Sequence, residues 1–193
     1  MVHLDAHTIT LYVAAGLWFF LPAYVANPSA VLFGGGTPVD FGKTWKSGKR
    51  ILGDGKTWRG TFGGIFSGTF IGLLTGALAE VTGFTPFSYG SCQNTICVPL
   101  VFATGSMVGD MLGSLIKRRI GLERGAKAPL LDQYDFVMGT LLFALIFAPS
   151  WFLEKYWWDG HWVCLLAVLV LTPILHRAVN IAGYKMGKKD VPW

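Results

Sequence analysis

Three aspartates, Asp110, Asp132 and Asp135, have the strongest claim on chemistry in this sequence. Asp110 lies inside an apolar run, seven residues before Lys117. On a helix rising about 1.5 Å per residue, that is roughly 10 Å from the charged end. A carboxylate at that depth is expensive and by default functional. Ser106, Asp110, Ser114 and Lys117 recur at intervals of four, four and three, which places them on one helix face. Gly109 and Gly113 are expected to keep that face open. The structural alternative for Asp110 is a buried ion pair with a Lys or Arg from another helix.

Asp132 and Asp135 stand three apart just before a further apolar run, so they share a face once a helix begins. One such aspartate is explained by capping. Two, following a loop rich in Arg and Lys, point to a site. Three carboxylates at depth make a hard-oxygen cation site suited to Mg²⁺, which is usually completed by substrate phosphates. Lys117, Arg118, Arg119 and Arg124 form a basic rim able to neutralise a polyphosphate. That combination points to phosphoryl or nucleotidyl transfer.

The stretch Gly53-Asp54-Gly55-Lys56-Thr57-Trp58-Arg59-Gly60 adds a second phosphate-binding candidate. It is not a P-loop, because Arg50 occupies the position of the required first glycine. Glycines exposing backbone amides beside Lys56, Thr57 and Arg59 still suit phosphate. Trp58 reads either as a platform for a base or as an interfacial anchor. Gly34-Gly35-Gly36 and Asp40 belong to the same loop without an assignable role.

The elements that must position these residues are membrane spans. Of 193 residues, 52% are hydrophobic and 14% charged, with a mean hydropathy of +0.49. A soluble domain carries about a quarter charged residues. The apolar residues fall into five blocks, about 8–33, 61–84, 96–118, 136–157 and 161–183, each long enough for a span. This predicts one all-α transmembrane domain over 1–193, with a kink or break near Asn27-Pro28. The absence of a basic segment before Thr8 argues against a signal peptide.

The net charge of +5 is not spread as a nucleic-acid surface. It concentrates in the loops 34–60 and 119–135 and at the C-terminus, leaving only Lys155 on the other side. The positive-inside rule then puts the N-terminus outside and both loops in the cytoplasm. The active site therefore faces the cytoplasm from a multi-pass protein of the cell membrane. Monomer and dimer stay equally open.

Within the spans, Gly60, Gly64, Gly68, Gly72 and Gly76 repeat every four residues. In lipid such a stripe admits another helix backbone closely, which predicts a central packed helix; pore lining is the alternative. The last two spans read as lipid-facing or purely structural. Trp151, Tyr156, Trp157, Trp158 and Trp162 read as an interfacial aromatic belt. Cys92 and Cys97 fall in an outer loop where a disulfide is permitted, and the pairing stays open.

These residues resemble the membrane-embedded CTP-dependent lipid cytidylyltransferases, the family of phosphatidate cytidylyltransferase. Ser114-Leu115-Ile116-Lys117-Arg118 is similar to that family's Ser-x-x-Lys-Arg, and Asp132-Gln133-Tyr134-Asp135 to its Asp-Arg-x-Asp. The Gly-His-Gly-Gly segment expected after Pro129 is missing, which points away from the diacyl-lipid enzymes. Asn27-Pro28, Val39-Asp40-Phe41-Gly42-Lys43 and Leu52 to Gly60 resemble the archaeal branch, the CDP-archaeol synthases.

The resemblance implies transfer of CMP from CTP to 2,3-bis-O-(geranylgeranyl)-sn-glycerol 1-phosphate, an isoprenoid glycerol phosphate lipid, releasing pyrophosphate. Asp110, Asp132 and Asp135 are then expected to hold Mg²⁺, as two ions, with Lys117 catalytic beside them. Lys56, Thr57, Trp58, Arg59, Gly109, Ser114, Arg118 and Arg124 are expected to hold CTP or its phosphates. The rival outside enzymology is a transporter or an ion or proton channel using Asp110 as a relay, but no second copy of the Asp110 or Asp132 element accompanies it.

Overall fold

The structure, a computed structural model, describes residues 4–46, 48–123 and 126–188. Arg124, one of the expected phosphate-binding residues, lies outside them. The helices are α1 (Ala6–Leu32), α2 (Trp58–Thr82), α3 (Cys92–Arg119), α4 (Leu131–Phe147), α5 (Pro149–Tyr156) and α6 (Trp162–Lys185). Among the described residues four of them, α1, α2, α3 and α6, are long and apolar enough to cross a membrane.

Local sequence explains where these helices start. Asp5 caps α1 by accepting from the Thr8 amide at 2.8 Å, Thr57 caps α2 through the Gly60 amide at 3.1 Å, and Ser91 caps α3 through Asn94 at 3.1 Å. Such caps satisfy amides that otherwise lack a partner. α1 runs through Asn27-Pro28 without the expected break. The break falls instead at Ala148, splitting the expected span 136–157 into α4 and α5. Pro149 is the cause: the residue before proline is pushed out of the helical region, and Ala148 adopts φ −143°, ψ 48°.

The glycine stripe of α2 packs as a central seam. A Cβ on Gly60 or Gly64 would lie 2.7 Å from the carbonyl oxygens of Ala30 and Ala26 on α1. On Gly68 and Gly72 it would collide with Pro22 of α1 and Pro99 of α3. From Gly64 to Gly76 the stripe is filled by atoms of α1, α3 and Tyr89 rather than open to a pore. α4 crosses α3 in the same way, with Gly139 set against Gly105 and Gly109.

At the other end, Phe19, Tyr89, Phe102, Trp151 and Tyr156 form a buried aromatic core. Trp151 donates to the Tyr89 carbonyl at 3.0 Å and Tyr156 to the Gly16 carbonyl at 2.8 Å. These satisfied polar tips let both rings sit inside the bundle rather than in the expected belt, while Trp157, Trp158 and Trp162 remain exposed. Cys92 and Cys97 are free and exposed in the first turns of α3. Five residues apart on a helix, they point about 140° apart, which explains why they do not pair. Cys164 is buried.

Candidate active site between α3, α4 and the loop before α2

The segment between α1 and α2 is folded around one carboxylate. Asp40, with its side chain 1% exposed, accepts from Arg50 Nη2 at 2.7 Å and from the Gly42 amide at 3.1 Å through Oδ1. Its Oδ2 accepts from the amides of Leu52 at 2.9 Å and Gly53 at 3.1 Å. Burial works to raise its pKa, but Arg50 and these amides outweigh it and hold the carboxyl far below the usual carboxylate range. Gly53 meets Asp40 at φ 94°, a conformation few side chains tolerate.

From Gly53 the path leads directly to Lys56. The Gly53 carbonyl accepts from the Lys56 amide at 3.2 Å, and the Lys56 carbonyl accepts from Val39 at 2.8 Å. Thr57, bridged to Pro38, then opens α2. The loop is latched to α3 by Arg119, whose guanidinium lies 3.6 Å from the Trp45 ring centroid.

Lys56 Nζ reaches Asp110 Oδ2 at 2.5 Å. Asp110 is thus ion-paired, and the pair lies on the wall of a cavity of about 290 Å³. Asp132 and Asp135 line the same cavity, as do Gly55 and Thr57. The apolar side is supplied by α1 and α6, through residues such as Leu21, Pro28, Val31, Leu175 and Val179. All three expected carboxylates therefore face one space.

Each carboxylate is placed by a different device. Asp132 accepts from Lys117 Nζ at 2.7 Å and from the Ala128 amide at 2.9 Å. Asp135 is set by glycines: a Cβ on Gly113 would fall on its Oδ2, and one on Gly109 on its carbonyl oxygen. Its Oδ1 accepts from the Phe136 amide at 2.7 Å. The charges of Asp110, Lys56 and Lys117 all bear on Asp135. Among the described residues no three His, Cys, Asp or Glu side chains converge as a ready metal cage.

Other expected contacts are redirected. Gly109 does not hold the face open; it is buried where α4 crosses. Ser114 is buried and outside the cavity wall, and Ser106 donates to the Ala23 carbonyl at 3.0 Å. Arg59 lies along Gly36, and Arg118 covers Gly53 while donating to the Leu122 carbonyl. Trp58 packs with Phe41 and Phe62 on an outward face and does not line the cavity, so the anchor reading fits its position.

The sequence reading also passed over His176 and Asn180, both on the cavity wall. Asn180 is 3% exposed, with its amide nitrogen 3.3 Å from His176 Nδ1. Their signal was present: two polar residues four apart on one face of an apolar helix.

Comparison with known proteins gives this arrangement a family. A family model described as CarS-like, CDP-archaeol synthase, matches residues 8–193. A CDP-archaeol synthase of Methanosarcina barkeri is 46% identical over 178 residues, covering 90% of this chain and 99% of that protein. One from Methanocorpusculum labreanum is 48% identical over 183 residues with the same coverage. A solved intramembrane enzyme for archaeal membrane lipid biosynthesis superimposes with a TM-score of 0.66 at 37% identity, over 86% of this chain and 92% of that one. The chain is a multi-pass membrane protein, and it belongs to the CDP-archaeol synthase family, enzymes of the lipid cytidylyltransferase type.

Proposed function

We propose that the chain is one catalytic domain that transfers CMP from CTP to 2,3-bis-O-(geranylgeranyl)-sn-glycerol 1-phosphate, with Mg²⁺, at the cytoplasmic face of the membrane. The observation that carries this reading is the convergence of Asp110, Asp132, Asp135 and Lys56 on one cavity. Family membership and the relatives' names support the nucleotide and the class of lipid.

The donor set fits Mg²⁺. Hard carboxylate oxygens from two helices, without a complete protein cage, match an ion that borrows ligands from substrate phosphates and water. Asp110, Asp132 and Asp135 would hold it together with the substrate phosphates, with two ions expected. When bound, the metal neutralises the triphosphate and stabilises charge on the departing pyrophosphate.

The protein's own residues supply placement. A phosphate oxygen of the lipid attacks the α-phosphorus of CTP; the new P–O bond forms as the bond to the bridging oxygen of the β-phosphate breaks. Pyrophosphate leaves with that electron pair. No base is needed, because the nucleophile is already an oxyanion, so positioning and charge dominate. Lys56 holds the triphosphate beside Asp110, and Lys117 keeps Asp132 oriented. The lipid tails stay in the bilayer and enter sideways between helices.

The charge distribution supports a cytoplasmic site with the N-terminus outside. α4, at 17 residues, spans roughly 25 Å, and with α5 it serves as the fifth crossing. Incubating purified protein with CTP labelled at the α-phosphorus, Mg²⁺ and the lipid phosphate should yield labelled lipid and pyrophosphate. A transporter or lipid-binding scaffold would yield none, and that result would refute the reading.

A further inference from the structure

The outward side of α2 leads to a charged hairpin. Trp58, Phe62, Phe66, Phe70, Leu74 and Leu78 recur every four residues along this helix, and all six are exposed. On a membrane-spanning helix an unbroken apolar face of this kind meets hydrocarbon. In the first turn Trp58 packs against Phe41, whose ring is exposed as well. Exposed aromatic rings at the end of a span mark the headgroup level. Lys43 follows Phe41 by two residues, so the chain enters the hairpin at that level.

Residues 43–46 and 48–51 make the hairpin. The Trp45 amide donates to the Lys49 carbonyl at 2.7 Å, the Ile51 amide donates to the Lys43 carbonyl at 3.2 Å, and Thr44 is bridged to Arg50. The fold thereby groups Lys43, Lys46 and Lys49, all exposed, beside Trp45 and Arg119. The carboxylates of the same segment, Asp40 and Asp54, are both engaged by Arg50. The three lysines are left as outward positive charge next to a lipid-facing helix.

The hairpin is also tied to the acidic cavity. Arg50, on its second arm, holds Asp40, and Asp40 takes the Leu52 and Gly53 amides that lead to Lys56. Trp45 under Arg119 fixes the hairpin to the end of α3, two residues beyond Lys117. Whatever the hairpin rests on therefore bears on both lysines that pair with the cavity's aspartates. Topology alone accounts for positive charge in such a loop, but it gives that charge no task in the inserted protein.

We propose that the hairpin docks on anionic lipid headgroups beside α2, and that this docking holds Lys56 in place, so that the charge of the surrounding lipid regulates the nucleotide site. Each lysine near a negatively charged leaflet favours the docked arrangement about fivefold. The partner is the surface of the bilayer, distinct from the lipid substrate, which enters between the helices. The regulatory half rests on the reading of the chain as a CTP-dependent transferase; the docking half does not.

The intact protein in nanodiscs of phosphatidylcholine, alone or mixed equally with phosphatidylglycerol, tests the two halves separately. Without CTP, amide exchange at Trp45, Gly48 and Ile51 should slow about tenfold in the anionic discs. Lys43→Gln/Lys46→Gln/Lys49→Gln should lose that slowing, arginine at the same three positions should restore it, and high salt should abolish it in the wild type. Equal exchange in both discs, or slowing that persists in the glutamine variant, overturns the docking. Soluble glycerol phosphate or RNA added to neutral discs should change nothing; slowing by either would show that the bilayer is not the partner. With the lipid substrate at one mole fraction, the wild-type KM for CTP should be about fivefold lower in the anionic discs, and that of the glutamine variant equal or higher. A negative surface by itself repels CTP and raises its KM, so the expected sign opposes simple repulsion. A wild-type KM that does not fall overturns the regulatory half. Slowed exchange with no labelled product in either disc would instead sink the transferase reading and leave the docking standing.

Discussion

Lys56 Nζ lies 2.5 Å from Asp110 Oδ2, although 54 positions separate the two residues. One comes from a loop before α2, the other from mid-depth in α3. In the proposed reaction the pair keeps a cation ready for the triphosphate, and in the structure it compensates a half-buried carboxylate. Lys56→Gln should therefore reduce turnover about a hundredfold or more and raise the KM for CTP. Steady-state kinetics on the purified variant check this; near-normal values would remove Lys56 from the nucleotide site.

Gly113 and Gly109 separate catalysis from packing. In Gly113→Ala the new methyl group meets the Asp135 side chain from carboxylate to Cβ, so activity should fall about a hundredfold through misplacement, with a smaller loss of stability than a backbone clash brings. In Gly109→Ala it meets the Asp135 backbone and Gly139. Forcing these helices apart should cost about 1–3 kcal/mol. Melting temperatures in detergent, set beside activities, distinguish the two; equal behaviour of both variants would contradict the assignment.

Asp40 makes a prediction about pH. Its folded-state pKa is depressed by Arg50 and backbone amides despite burial. Its stabilising contribution is therefore present above the unfolded value of about 3.9 and is lost only as pH falls through the lower folded value. Amide exchange in the loop before α2 should show equal protection from Asp40 at pH 7 and pH 5. Asp40→Asn should lose that protection at both. Protection that vanishes in the wild type by pH 5 would show that the carboxylate is not held as described.

Much of this was legible in sequence. The four-residue glycine repeat of α2 reported a packed seam, and the spacing around Asp110 reported a carboxylate set on a cavity wall, because each depends on one helix's own periodicity. The direction of Arg59 and Arg118 was not legible. Their charge is visible, but contacts with Gly36 and Gly53 aim them, and those contacts belong to the tertiary fold. Asp40 escaped for a related reason, since its partners lie up to 13 residues away and its loop has no period to reveal them. His176 and Asn180 did have a local signal, two polar residues four apart in an apolar segment.

The thiols test orientation. Cys92 and Cys97 are free, and the orientation proposed from the charge distribution has the start of α3 outside. A membrane-impermeant maleimide added to intact cells without reductant should label Cys92 and Cys97, and Cys92→Ser/Cys97→Ser should lose that labelling. Labelling only after the cells are broken open would reverse the topology and with it the cytoplasmic active site.

The most direct test of the shared acidic cavity is a crystal grown with CTP and Mn²⁺ in place of Mg²⁺. The anomalous difference map should place manganese within ligand distance of Asp110 and of Asp132 or Asp135, with the triphosphate beside Lys56. Manganese and nucleotide bound away from the α3–α4 crossing, with these aspartates unengaged, would contradict the account.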